Sequence, residues 1–124
     1  MQIVLTDREA ELMEILWEHG PSTVAEVRAR LPDNPAYTTV LTILRNLEAK
    51  SFVTHEEEGR AHRYSARVAL ESARRSALQS LSNKLFKGSA SLLMTHLVSD
   101  QQLSRDDVRR IRALLDRRKP RDKA

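Results

Sequence analysis

Tyr37-Thr38-Thr39-Val40-Leu41-Thr42-Ile43-Leu44-Arg45-Asn46-Leu47-Glu48-Ala49-Lys50 is the stretch on which the reading of this chain turns. Val40, Ile43, Leu44 and Leu47 recur at three- and four-residue spacing, which predicts a helix with one face in a core. The opposite face carries Thr38, Thr39, Thr42, Arg45 and Asn46, with no acidic group before Glu48. A solvated helix face ordinarily mixes Glu with Lys, which keeps it soluble and lets neighbours pair. Small hydroxyls beside Arg and Asn suit a DNA major groove instead, through methyl contacts to thymine and hydrogen bonds to base edges. Tyr37 admits two readings, a cap on the core at the start of the helix or a phosphate contact.

Downstream the period changes from helical to alternating. Phe52-Val53-Thr54-His55-Glu56 and Ala61-His62-Arg63-Tyr64-Ser65 predict two short strands around a turn at Glu58-Gly59. Upstream, Thr6-Asp7-Arg8-Glu9 is a capping box that opens a first helix bearing Leu12, Met13, Ile15, Leu16 and Trp17. Gly20-Pro21 ends it. Thr23-Val24-Ala25-Glu26 opens a second, shorter helix, which Pro32-Asp33-Asn34-Pro35 breaks. Three helices followed by a hairpin are the order of a winged helix-turn-helix.

Arg60, His62 and Arg63 gather in the hairpin beside the third helix, where they are candidates for phosphate contacts that position a protein on DNA. Glu56, Glu57 and Glu58 oppose this, either from the far side of the wing or because the wing touches DNA weakly. Strand alternation sets His62 and Tyr64 on one face and Arg63 on the other, so the three cannot act alike.

The rest of the chain reads as helical. Ala69 to Phe86 carries Leu70, Ala77, Leu78, Leu81 and Leu85 along one side, and Gly88 suits a C-terminal cap. Leu92, Leu93, Met94, Leu97 and Val98 form a short apolar segment after Ser89 or Ser91. Ser104-Arg105-Asp106-Asp107 caps a last helix with Val108, Ile111, Leu114 and Leu115 inward. So short a helical segment cannot bury this much Leu, Ile and Val alone, which predicts a second copy of the chain across it. The expected organisation is a DNA-binding domain over 1–68, a helical dimerisation region over 69–118 and a flexible tail over 119–124. Dimer contacts are expected from Leu78, Leu81, Leu85, Leu92, Leu93, Leu97, Val108, Ile111, Leu114 and Leu115. The class is mainly α with a small β-hairpin.

Composition excludes several chemistries. The 124 residues contain no cysteine and three glycines, which removes disulfides, thiolate sites and a Gly-rich phosphate loop. His19, His55, His62 and His96 are dispersed without helical metal-site spacing, and no serine stands in a nucleophile elbow. No enzyme, cofactor or metal is expected. No apolar run would span a bilayer and no signal segment is present, so the expected location is the cytoplasm. The net charge of +4 is unevenly spread: residues 1–50 carry 5 basic against 8 acidic side chains, and residues 51–124 carry 16 against 9. A few placed side chains, not a uniformly basic surface, must therefore meet DNA. The basic end from Arg117 to Lys123 reads as a solvated tail, with a supplementary DNA contact as the minor reading.

The chain resembles the penicillinase-repressor family. The resemblance is carried by Leu5-Thr6 with Glu9, Ile15-Leu16-Trp17 before Gly20-Pro21, Thr23 to Val27, Tyr37 to Lys50, Arg60 to Tyr64, and Phe86-Lys87-Gly88-Ser89. It implies a homodimeric repressor whose third helices enter successive major grooves of a palindromic operator, controlling resistance or metal-homeostasis genes. In the penicillinase branch it also implies a membrane-bound sensor metalloprotease that triggers cleavage in the dimerisation region. Two departures bear on that. The copper-responsive branch uses a C-terminal cysteine cluster, which this chain lacks. The penicillinase branch is cut at an Asn-Phe bond, whereas the corresponding Met94-Thr95-His96-Leu97 has Thr95-His96. A rival to the DNA-binding reading is a protein-interaction adaptor built on the same fold, favoured by the acidic N-terminal half and the glutamates of the wing.

Overall fold

A computed structural model describes residues 2–118; the tail expected at 119–124 lies outside them. Six helices and three short strands follow in the order α1 (Asp7–His19), β1 (Ser22–Thr23), α2 (Val24–Arg30), α3 (Tyr37–Ala49), β2 (Val53–Glu58), β3 (Ala61–Ala66), α4 (Leu70–Leu85), α5 (Ala90–Asp100) and α6 (Arg105–Arg117). The chain divides into two compact units, with the change at Ser80 and Leu81, inside α4.

In the first unit, α1 and α2 both open with complete capping boxes, from Thr6 with Glu9 and from Thr23 with Glu26. Gly20 takes φ +80 where α1 stops, a left-handed value that a side chain disfavours. The three helices and the sheet enclose Leu12, Met13, Leu16, Val27, Val40, Leu44, Leu47, Val53 and Tyr64, all nearly inaccessible to solvent. The third-helix spacing is borne out: Val40, Leu44 and Leu47 are buried, and Ile43 packs partly against the same core.

The sheet has three antiparallel strands in the order β1-β3-β2, not the two of the expected hairpin. Ser22 pairs with Tyr64 and Thr23 with Arg63, while β2 and β3 pair from Val53–Ala66 to Glu58–Ala61. A strand of two residues leaves no alternation to read, and Thr23 shows in the sequence only as a cap. The hairpin loop is Gly59-Arg60, with φ +61 at Gly59, the positive value that a type II′ turn places first. Beyond the sheet, Ala73 of α4 joins the core, Ser76 Oγ accepts the Ile3 amide at 2.8 Å, and Trp17 Nε1 donates to the Val68 carbonyl at 2.9 Å.

One polar contact ties the first helix to the third. Glu9 is almost wholly buried, and both its carboxylate oxygens accept from Lys50 Nζ, at 2.9 and 2.8 Å. Glu9 also accepts the Thr6 amide at 2.9 Å, completing its capping box. Lys50 is the residue that ends α3, so this carboxylate caps one helix and anchors the end of another.

In the second unit, Ser89 caps α5 by accepting the Leu92 amide at 3.1 Å, and Ser104 with Asp107 forms a capping box on α6. Gly88 takes φ +73 and its amide donates to the Ser82 carbonyl, closing the end of α4. Few apolar side chains here are covered. Leu93 is buried and Ile111 is half-buried, but Leu81, Leu85, Leu92, Leu97, Val98, Val108, Leu114 and Leu115 are exposed, Leu85 to 73%. Between α5 and α6 runs an apolar groove of ≈ 420 Å³, lined among others by Met94, Leu97, Val98, Ile111, Leu114 and Leu115.

The Glu9 contact makes stability depend on acid. Burial pushes the Glu9 carboxyl up, but hydrogen bonds from Lys50 and the Thr6 amide outweigh it and hold the group below its usual range. A carboxyl depressed in the folded state contributes stability above its unfolded pKa and loses it as pH falls through the folded value. Glu9→Gln, which keeps an acceptor for Thr6 but no charge for Lys50, should cost about 1 kcal/mol at pH 7, the half-exposed Lys50 being partly screened. Denaturant titrations from pH 7 to pH 3 should show the native chain losing its advantage over this variant below about pH 4.5.

Candidate nucleic-acid interface

Within the first unit α2 and α3 form a helix-turn-helix joined by residues 31–36, in which Asn34 adopts φ +47 and Pro32 and Pro35 bar a continuous helix. Arg28 Nε donates to the Pro35 carbonyl at 2.6 Å, and Arg8 bridges Glu11 of α1 to Asp33 of the turn. The turn is thus fastened on both sides, which fixes where α3 begins.

Because Val40, Leu44 and Leu47 are committed to the core, the other side of α3 must face outward. Thr38, Thr39, Thr42, Arg45 and Asn46 are all exposed, and Tyr37 is exposed to 48%. Thr42 Oγ1 donates to the Thr38 carbonyl at 2.8 Å, so its proton is used within the helix, leaving its methyl group and the acceptor capacity of its oxygen to offer. No residue of the first turn is acidic, and Ala36 provides no side-chain cap.

The wing places the remaining candidates differently. Arg60 is exposed at the hairpin tip. His62 is half-buried and stacks on His55, with ring centroids 4.4 Å apart and planes 15° apart. Arg63 is engaged by other parts of the unit: its guanidinium donates to Glu58, to Glu26 at 3.0 Å and to the Pro21 carbonyl at 3.0 Å. Those bonds brace the wing against the start of α2. Glu58 is held below the usual carboxylate range by the Arg63 hydrogen bond and charge, and Glu26 by the Thr23 amide and Arg63. Glu58 of the wing and Glu26 of α2 are therefore paired, whereas Glu56 and Glu57 lie exposed on β2, the edge strand opposite β1.

On the inner face of the wing Tyr64 is buried, and burial, with the nearby Glu48 charge adding and Arg45 opposing, pushes its phenol up. Glu48 is in turn bound by His55, whose Nδ1 lies 2.8 and 2.7 Å from the two carboxylate oxygens. Glu48, His55, Glu9 and Lys50 carry no sequence signal for these contacts, because their partners are 7 and 41 residues away and on other elements.

Among the described residues no group of three or more His, Cys, Asp or Glu side chains could hold a metal ion. No described helix is long and apolar enough to cross a membrane. In the second unit, Met94, Thr95, His96 and Leu97 lie in the middle of α5, where Thr95 Oγ1 donates to the Ser91 carbonyl at 2.9 Å and His96 packs edge-on to Phe86.

Fold and site together define a winged helix-turn-helix DNA-binding regulator. Residues 5–117 match the family described as Penicillinase repressor, and the chain belongs to that family. It is 24% identical over 121 residues to the penicillinase repressor of Bacillus licheniformis, covering 96% of this chain and 94% of the relative. It is 21% identical over 118 residues to the methicillin resistance regulatory protein MecI of Staphylococcus aureus, covering 92% and 94%. Over 63 residues it is 41% identical to the transcriptional regulator BlaI of Mycobacterium tuberculosis, covering 48% and 46%. The solution structure of the DNA-binding domain of the repressor BlaI superposes with a TM-score of 0.50 at 26% identity, over 58% of this chain and 93% of that one. A MarR family protein from Bacillus stearothermophilus shares the fold at 13% identity, TM-score 0.52, over 92% and 72%. The expected class is thereby borne out: the chain is a DNA-binding transcriptional repressor, of a non-enzymatic family.

Arg63→Ala should loosen the wing from α2 without unfolding the core. Hydrogen exchange should quicken at the amides that pair β1 with β3, including Tyr64, while amides of α1 and α3 keep their protection. Unchanged exchange in the sheet would show that the brace has no mechanical role.

Proposed function

We propose that this chain represses transcription as a homodimer, in the cytoplasm, by setting the α3 helices of two copies into successive major grooves of a palindromic operator. The observation that carries the reading is the outward face of α3. It is polar, exposed and without a carboxylate through its first three turns, while the opposite face is locked in the core. Arg45 and Asn46 supply donors and acceptors for base edges, Thr42 a methyl group for thymine, and Thr38 and Thr39 small side chains that allow close approach. Tyr37, at the exposed start of α3, takes the phosphate role. Arg60 at the wing tip is the wing's phosphate contact, with His62 behind it, and Arg63 serves as the brace that holds the wing in place. Two-fold symmetry asks for half-sites about 34 Å apart, or a multiple of that.

The dimer contact on this reading lies on the uncovered Leu78, Leu81 and Leu85 of α4, Leu92 and Leu97 of α5, and Val108, Leu114 and Leu115 of α6, with the half-buried Ile111; Leu93, expected among them, is already buried. Fully covering one such side chain is worth about 1.5–3 kcal/mol, so leaving this many in water favours a second copy. On this reading DNA binding lies in 1–68 and dimerisation in 69–118, although Ala73 and Ser76 of α4 pack with the first unit, which extends to Ser80. The regulated genes are resistance or stress genes, by analogy with relatives named for penicillinase and methicillin resistance. Derepression follows cleavage within α5, at Met94 to Leu97, triggered by a membrane sensor metalloprotease. A protease needs extended backbone, so α5 must first open locally, and the cut removes Met94 and Leu97 from the apolar groove.

A salt-series titration against the chain's own upstream DNA and a scrambled duplex tests the reading. Tight binding of two copies per site is expected, falling steeply with salt as phosphate contacts release counterions. Asn46→Ala and Thr42→Ala should each lose about 1–3 kcal/mol of discrimination. Arg60→Ala should lower the salt slope by about one at unchanged preference. Absence of retardation even at low salt would favour the adaptor reading instead. For the dimer, Leu97→Glu should sediment as a monomer and bind the operator far more weakly. A Leu97→Glu chain that stays dimeric would place the contact elsewhere.

A further inference from the structure

Glu48 is the one acidic residue of α3, and it stands three residues after Arg45. Residues at that spacing are neighbours on a helix surface, where an Arg and a Glu ordinarily pair. Here they do not. The Glu48 carboxylate is taken by His55 of β2, whose Nδ1 reaches both oxygens at 2.8 and 2.7 Å, and no ion pair engages Arg45 among the described residues. A carboxylate only accepts, so Nδ1 carries the proton whether the ring is neutral or charged. The ring is fixed from behind by its stack on His62 at 4.4 Å and by Tyr64 at 5.3 Å. Both members of the pair are about one-third exposed, 30% for His55 and 31% for Glu48, so the bond is not forced by burial.

We propose that His55 is a positioning residue for DNA binding: it holds the Glu48 carboxylate away from Arg45 and from the approaching phosphates, leaving the guanidinium available to the operator. This rests on α3 being the helix that reads DNA. Released from His55, Glu48 would fold back onto Arg45 across one turn of helix and present an unscreened negative charge at the edge of the interface. Either effect weakens DNA binding without any DNA-contacting residue being replaced. The arrangement also makes the wing more than a backbone clamp, since β2 and β3 set the electrostatics of the reading helix through the stacked pair.

The test is His55→Phe, which keeps an aromatic ring on His62 and Tyr64 but cannot hold a carboxylate, measured against upstream duplex at low salt. Binding should weaken about three- to tenfold. The double variant His55→Phe with Glu48→Gln should recover it, because an amide neither neutralises Arg45 nor repels phosphate. Glu48→Gln alone should bind at least as tightly as the native chain, a measurement that holds even if His55→Phe fails to fold. Native-like binding by His55→Phe, no recovery in the double variant, or weaker binding by Glu48→Gln would each overturn the proposal. A native chain that does not bind upstream DNA would instead refute the reading of α3 itself, so the two failures are distinct.

Discussion

The third helix, α3, is held in place by a carboxylate that belongs to another helix. Glu9 sits almost wholly inside the first unit, accepts the amide of its own cap residue Thr6, and receives Lys50 from the far end of α3. A carboxylate removed from water requires compensation, and three hydrogen bonds into two oxygens supply it. The consequence is geometric. The start of α1 and the end of α3 are joined at one point, so the direction of the helix proposed to read DNA is fixed by a contact that lies outside its exposed polar face. The bridge of Arg8 to Asp33 and the bond from Arg28 to the Pro35 carbonyl do the same for the other end of α3.

Polar side chains in this domain divide into those used for bracing and those left exposed. Arg63, Glu26, Glu58, Arg8 and Asp33 are engaged with one another across elements, whereas Arg45, Asn46 and Arg60 are exposed. The division accounts for a repressor whose N-terminal half is net acidic. Many of its carboxylates are already answered by a local cation or a capping amide, so their formal count overstates the negative field that DNA would meet. The second unit follows a different logic. Its helices are well capped but bury little, so its sequence supplies local order and an apolar surface together.

The relation of sequence to function here is one of faces. On α3 the core side is fixed by Val40, Leu44 and Leu47, and the outward side follows from helical geometry with no further information. On the wing, alternation separates Arg63 from His62 and Tyr64, but the phosphate role expected of Arg63 gives no hint that Glu58 and Glu26 engage it. Only the pairing register, which sets Thr23 beside Arg63 and Glu57 across from His62, brings Arg63 within reach of Glu26.

Near neighbours along the chain govern one part of this fold. The capping boxes at Thr6, Thr23 and Ser104, the glycine stops at Gly20 and Gly88, the amphipathic period of α3 and the turn at Gly59 are of this kind. Each is governed by residues within about one helical turn, so each was legible in one dimension. The tertiary structure alone decided the third strand at Ser22–Thr23, the Glu9–Lys50 anchor, the Arg63 brace and the Glu48–His55 pair. Those contacts join elements that approach only once the core has closed. A charged side chain in a sequence carries no mark of which distant opposite charge the fold will bring to it.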